Sequence, residues 1–242
     1  MVLNGYDGRR DGRDQDGHRG PDRGAQDRRD ARRADPRPPL TLIESAPRRA
    51  ILPDDPVPEQ AIRPAPRPPG HFRVVYVCSA NICRSAYAEG RSRALVGRRG
   101  WVRFTSAGTD GTDPQPMDPW MAAELVARGG DPTGVFGARY RPDDLEAADL
   151  VLPMTDQQRL RLLDEVPACH ARIFTLGQFT RAAAEAGRRL RAGDLVAWIA
   201  SQRPAPDPAE DVPDPYGRGE AAARETARIL DDYLLELLPR LA

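Results

Sequence analysis

The chain has 242 residues, 40% of them hydrophobic, and carries 36 basic and 36 acidic side chains for a formal net charge of zero at pH 7, which argues against a strongly electrostatic partner such as nucleic acid. All of the basic residues are Arg, a compositional bias rather than a device for holding phosphate, and the three cysteines, Cys78, Cys83 and Cys169, are too few and too odd in number for a disulfide scaffold, so a reducing, cytoplasmic setting is expected. The first residues, "MVLNGYDGRRDGRDQ", lack an apolar signal region, and no apolar run approaches the roughly 18 to 20 residues of a membrane span, so neither export nor membrane insertion is expected.

Residues 1 to 70 mix opposite charges with Gly and Pro, as in "GRRDGRDQDGHRGPDRGAQDRRDARRAD" and "RPAPRPPG". Such a stretch buries too little apolar surface to offset its ordering entropy, so a disordered tail is expected ahead of a single domain over residues 71 to 242. The tail's apolar patch at Leu40 to Ser45 reads as a transient strand or a docking motif. From His71 the pattern alternates. Apart from Arg73, Phe72 to Val77 is a β-branched and aromatic run, as for a strand covered on both faces. Ser85 to Val96 reads as a helix, Trp101 to Gly108 as a second strand, and "DPWMAAELVARGG" as a helix opened by Asp118 with Pro119 in its first turn and closed by glycine. Ala148 to Met154 is a third strand, followed by a helix with Thr155 as its N-cap, and Ala171 to Leu176 is a fourth strand. Helices are expected at Gln178 to Ala186, at Leu190 to Ser201 and at Glu220 to Leu238; the last carries Ile229, Leu230, Tyr233, Leu234 and Leu237 at core-facing spacing. Strands alternating with helices imply parallel βαβ units, hence an α/β fold of three layers with a four-stranded parallel sheet between helices. Ligands of such sheets bind at the carboxyl ends of the strands.

Cys78 stands at that edge. It is followed by "SANICRS", so that a thiol, five residues, Arg84 and Ser85 lie between a buried strand and a helix start. A loop there can turn successive backbone N–H groups inward as a nest, with the positive end of the next helix aimed at the same point. Ser79, Ala80, Asn81, Ile82, Cys83, Arg84 and Ser85 would line this phosphate cradle, Arg84 adding a planar fork that matches two phosphate oxygens. The same field favours the thiolate of Cys78, Ser85 can donate its hydroxyl to the sulfur, and Asn81 tolerates the positive φ that would hold the nest open. A zinc site is not expected, because Cys78 and Cys83 lack a second close pair of Cys or His. Cys169 beside His170 precedes the fourth strand, away from the carboxyl edge.

These residues resemble the low-molecular-weight protein tyrosine phosphatase family, whose signature is a Cys-x5-Arg-Ser loop near the start of the domain. "TSAGT" at Thr105 to Thr109, "ADLVLPM" at Ala148 to Met154 and "DPYG" at Asp214 to Gly217 are similar to further segments of that family, so the likeness runs from about Phe72 to the end of the chain. The resemblance implies Cys78 as nucleophile, Arg84 and the loop amides as phosphate holder, Asn81 and Ser85 as loop supports, and Asp214, chosen over Asp207 and Asp211 for the Pro215 and Tyr216 that follow it, as proton donor. Tyr216 would form a wall of the substrate cleft. Cys83 resembles a second loop cysteine able to form a protective disulfide with the nucleophile. The reaction implied is hydrolysis of phosphotyrosine in a protein substrate through a phosphocysteine, with no metal or organic cofactor, by a protein expected to be a monomer. The chain departs from the family at Ala80, where glycine is usual and a Cβ could strain the loop, at Ala86, where proline is usual, and in "DGTDPQPMD" and "GGDPTGVFGARY", which lack the usual aromatic and His-Arg pair. Rival readings are an arsenate reductase of the same fold and a phosphate-binding regulatory module without turnover.

Overall fold

The computed structural model describes residues 70–97, 100–111 and 114–242. The expected tail, apart from Gly70, and its patch at Leu40 to Ser45 lie outside the described residues. In chain order the elements are β1 (Phe72–Cys78), α1 (Arg84–Val96), β2 (Val102–Gly108), β3 (Gln115–Pro116), α2 (Pro119–Ala127), β4 (Phe136–Gly137), α3 (Pro142–Glu146), β5 (Leu150–Pro153), α4 (Asp156–Glu165), α5 (Leu176–Glu185), α6 (Ala192–Gln202) and α7 (Gly219–Leu241), with 3-10 turns at Pro167–Arg172 and Pro208–Glu210.

The parallel sheet has the order β2-β1-β5. Its register pairs Phe72 with Val102 through Cys78 with Gly108 on one side of β1, and Val74 with Leu150 through Val77 with Pro153 on the other. Cys78 and Gly108 therefore reach the carboxyl edge side by side. Because side chains alternate across a strand, β1 feeds two cores. Val74 and Tyr76 join Leu150 and Leu152 beneath α1, α2, α5, α6 and α7, whereas Val75 and Val77 join Val151, Leu145, Leu162, Cys169 and Ile173 beneath α3, α4 and the first 3-10 turn. Helices thus cover both faces, which is why β1 reads as an apolar run from Val74 onward. On α7, Leu230, Leu234 and Leu237 are fully buried while Ile229 and Tyr233 flank them half-buried, and the helix continues past Pro239 because Leu241 is buried too.

The four-stranded expectation needs a correction. The stretch expected to be the fourth strand contributes a single parallel bridge, Ile173 to Val151, with the Phe174 N–H donating to the Val151 carbonyl at 3.2 Å. It is squeezed from both ends: the 3-10 turn takes up Ala171 and Arg172, and Thr175 opens α5 with a capping box in which its side chain accepts from the Gln178 N–H. Thr155 heads α4 in the same way, also with a reciprocal Gln158, and the Asp118 side chain accepts from the Trp120 and Met121 N–H groups at the start of α2.

Candidate active site

The loop from Cys78 to Ser85 has a marked polarity. The carbonyls of Cys78, Ser79, Ile82 and Cys83 accept from the N–H groups of Thr109, Asp110, Asp118 and Tyr87 at 2.8–2.9 Å. Among the described residues, by contrast, no acceptor takes the N–H of any residue from Ser79 to Ser85. Carbonyls tied back and amides left over give the loop a positive potential, and the free N-terminal end of α1, which has no side-chain cap, adds to it. The conformation turns on Asn81, which has φ +59° and is fully buried; Ala80 is not left-handed, so the strain expected from its Cβ does not arise. Asn81 is held by its own amide: Oδ1 accepts from the Ala138 N–H at 3.2 Å, and Nδ2 donates to Ser85 Oγ at 2.9 Å and Ser106 Oγ at 2.8 Å. Ser85 Oγ lies 3.0 Å from Cys78 Sγ. The loop is backed by glycines. A Cβ at Gly108 would stand 2.5 Å from the Ser79 carbonyl oxygen, and one at Gly137 would stand 3.0 Å from that of Ala80.

Arg84, 4% exposed, is anchored by Nη1 on the Val212 carbonyl at 3.1 Å and reaches Asp214 Oδ2 with Nη2 at 2.6 Å. Its Nε is buried and has no partner among the described residues, a donor without an acceptor. The three aspartates that compete in the sequence are separated by their contacts. Asp207 caps the short turn after it through the Ala209 N–H. Asp211 accepts from the Asp156 N–H at 2.9 Å, tying this segment to the head of α4, and burial pushes its carboxyl up. Asp214 alone meets Arg84; its side chain is 47% exposed, and its Oδ1 accepts from the Tyr216 N–H at 3.2 Å. Tyr216 is 55% exposed beside it.

Cys83 is buried, its thiol pushed up by burial and then by the charge of Asp118, and all three cysteines are free thiols. Cys169 lies in the opposite core. Two side chains at the site escaped the sequence reading. Gln158, the capping-box partner of Thr155, is held by the Met154 and Thr155 N–H groups and donates Nε2 to Ser79 Oγ at 3.1 Å; the T-x-x-Q spacing was its signal. Ser106, inside "TSAGT", links Asn81 to Glu89 of α1, and nothing in the sequence marks that contact. Among the described residues no group of three or more His, Cys, Asp or Glu is placed to hold a metal ion, and no helix is long and apolar enough to cross a membrane.

Residues 73–192 match the family profile described as low molecular weight phosphotyrosine protein phosphatase. Over 111 residues the chain is 35% identical to low molecular weight protein-tyrosine phosphatase A of Mycobacterium tuberculosis, covering 45% of this chain and 67% of that protein. The chain belongs to this phosphatase family. A crystal structure of the low molecular weight protein tyrosine phosphatase from T. tengcongensis superposes with a TM-score of 0.54 at 26% identity, spanning 70% of this phosphatase and 99% of that chain. The protein-arginine-phosphatase of Bacillus subtilis is 27% identical over 107 residues, 44% of this phosphatase and 71% of that protein. The family match takes in the whole loop of this phosphatase but ends at the start of α6, ahead of Asp214 and Tyr216.

Proposed function

We propose that this phosphatase hydrolyses phosphotyrosine in a protein substrate by way of a phosphocysteine on Cys78. The observation that carries the reading is the set of unused donors: in the loop that begins at Cys78, the N–H groups of Ser79 to Ser85 and the buried Nε of Arg84 have no acceptor among the described residues. A phosphoryl group has equatorial oxygens to accept all of them, and donors fixed in advance stabilise the charge spread over those oxygens in the transition state. The sulfur of Cys78 attacks phosphorus as the bond to the phenolic oxygen breaks. Asp214, as its acid form, passes its proton to that oxygen, and then, as carboxylate, takes a proton from the water that attacks phosphorus and releases the sulfur. Substrate entry requires Arg84 Nη2 to exchange Asp214 for a phosphate oxygen, which frees the carboxyl to face the leaving group. Ser85, 3.0 Å from the sulfur, supports it as thiolate and as leaving group. Tyr216 is the wall against which the flat aryl ring lies.

A phosphoguanidinium substrate is the second reading, supported by the likeness to the Bacillus subtilis protein-arginine-phosphatase. A reductase working through a relay of thiols finds no support, since Cys169 is the one thiol beyond the loop and is fully buried in the opposite core. We place the activity in residues 71–242, acting as a cytoplasmic monomer without cofactor, in keeping with the balanced charge and unpaired thiols. The test is turnover of an aryl phosphate, a phosphotyrosine peptide, a phosphoarginine peptide and arsenate with thiol by one preparation of the full chain. Preference for the phosphotyrosine peptide, lost in Cys78→Ser, is expected. Preference for phosphoarginine, or full activity in the serine variant, refutes the reading.

A further inference from the structure

The hydrogen bonds at Cys78 do not stop at the loop; they run inward to a carboxylate. Glu89, on α1 and 5% exposed, accepts from Ser106 Oγ of β2 and pairs with Arg93 one turn further along. Burial pushes its carboxyl up, while Arg93 and Ser106 hold it down; Tyr76 of β1 is the titratable group that faces it from the sheet.

The protons along this path can be assigned one by one. The Ala138 N–H donates to Asn81 Oδ1, which decides the orientation of the amide. Both N–H bonds of Nδ2 are therefore in use, one on Ser85 Oγ and one on Ser106 Oγ. Ser106 has one proton, and Glu89 takes it. Ser85, already accepting from Asn81, keeps its own proton for Cys78 Sγ at 3.0 Å or the Ala107 carbonyl at 3.3 Å. A charged acceptor on Ser106 polarises that hydroxyl, strengthens its hold on Asn81, and so steadies the one residue of the loop with positive φ.

We propose that Glu89 is a positioning residue for the reaction: its carboxylate anchors the Ser106, Asn81 and Ser85 chain so that the Ser85 hydroxyl is directed at the Cys78 sulfur. This rests on Cys78 being the nucleophile. No proton travels along the chain; Glu89 acts by fixing dipoles.

The experiment compares Glu89→Gln, which keeps the shape and removes the charge, and Ser106→Ala with the full-length wild type. The measurements are the pH dependence of Cys78 alkylation by iodoacetamide, kcat and KM on an aryl phosphate, and the thermal midpoint. Expected for E89Q is a fall in kcat of about tenfold, the difference between a charge-assisted and a neutral hydrogen bond, with KM within about twofold. The alkylation midpoint should move to higher pH in both variants, and the double variant should be no worse than the poorer single, since both cut one chain. An unmoved alkylation midpoint with only a lowered thermal midpoint overturns the inference. Alkylation is read without turnover, so this failure is distinct from failure of the nucleophile assignment, which would show as an active Cys78→Ser. Should E89Q not fold, S106A cuts the same chain one link nearer the sulfur, and an unmoved alkylation midpoint there overturns the inference equally.

Discussion

Gly108→Ala isolates how closely the loop depends on the strand beside it. The added Cβ would lie 2.5 Å from the Ser79 carbonyl oxygen, 3.1 Å from the Ala80 carbonyl carbon and 3.2 Å from the Asn81 nitrogen, and all three are backbone atoms of the cradle. Ordinary contact begins near 3.4 Å, so the closest pair must separate by about 0.9 Å (3.4 − 2.5). β2 has little room to retreat, because the Gly108 N–H donates to the Ala138 carbonyl at 2.7 Å, its own carbonyl accepts from the Tyr140 N–H at 3.0 Å, and its backbone is in register with Cys78. The loop must move instead. A displacement near 1 Å at a reacting centre can cost about 100-fold in rate, and overpacking costs about 1–3 kcal/mol of stability, or about 2–4 °C of Tm per kcal/mol in a domain of this size. The assay is kcat/KM on an aryl phosphate together with a thermal melt. Gly193→Ala in the first turn of α6 is the control, since its Cβ would meet nothing within 4 Å; it should leave kcat/KM unchanged and raise Tm slightly, as alanine is favoured over glycine in a helix. If G108A keeps kcat/KM within twofold of wild type, the loop is not held in place by contact with β2 and the reasoning fails.

Asp214→Ala should slow esters with poor leaving groups far more than those with good ones, while binding inorganic phosphate several-fold more tightly because Arg84 Nη2 loses its carboxylate competitor; equal slowing across leaving groups removes Asp214 from the acid role. Burial keeps Cys83 a neutral thiol through the physiological range, so mass mapping after alkylation at pH 8 should find the label on Cys78 and not on Cys83. Glu89 binds its proton more tightly folded than unfolded, so the stability it contributes is complete below the ordinary value of 4.5 and is lost as pH rises through its raised folded value. The Tm of E89Q relative to wild type should accordingly increase from pH 4.5 upward; a constant difference across that window contradicts the raised carboxyl. Leu230→Ala, at a fully buried position on α7, should cost about 2–5 kcal/mol in a denaturant melt and leave KM unaltered.

Much of the frame could be read from local pattern because the forces that set it act locally. An apolar run with no polar face must lie between two layers, and β1 does; Asp118 and Thr155 announce helix starts because a short oxygen-bearing side chain can satisfy free N–H groups two or three residues on. The thiol, the five-residue gap and the arginine fall between strand and helix, where backbone N–H groups are left without partners. The fourth strand was misjudged for the opposite reason: its apolar composition suits a strand, but a 3-10 turn before it and a capping box after it left room for one bridge.

Distance along the chain is what composition and spacing cannot cross. Sequence alone determined the layered α/β frame and the place of Cys78 and Arg84 within one loop, because both follow from neighbours a few residues apart. Only the tertiary structure decided that Asp214 rather than Asp211 meets Arg84, 130 residues away, and that Gly108, Ser106 and Glu89 stand behind Asn81, whose positive φ the sequence reading anticipates. Those choices belong to the packing of β2, α1 and the segment before α7 against one another, where contacts between remote residues carry the free energy and no local signal marks them.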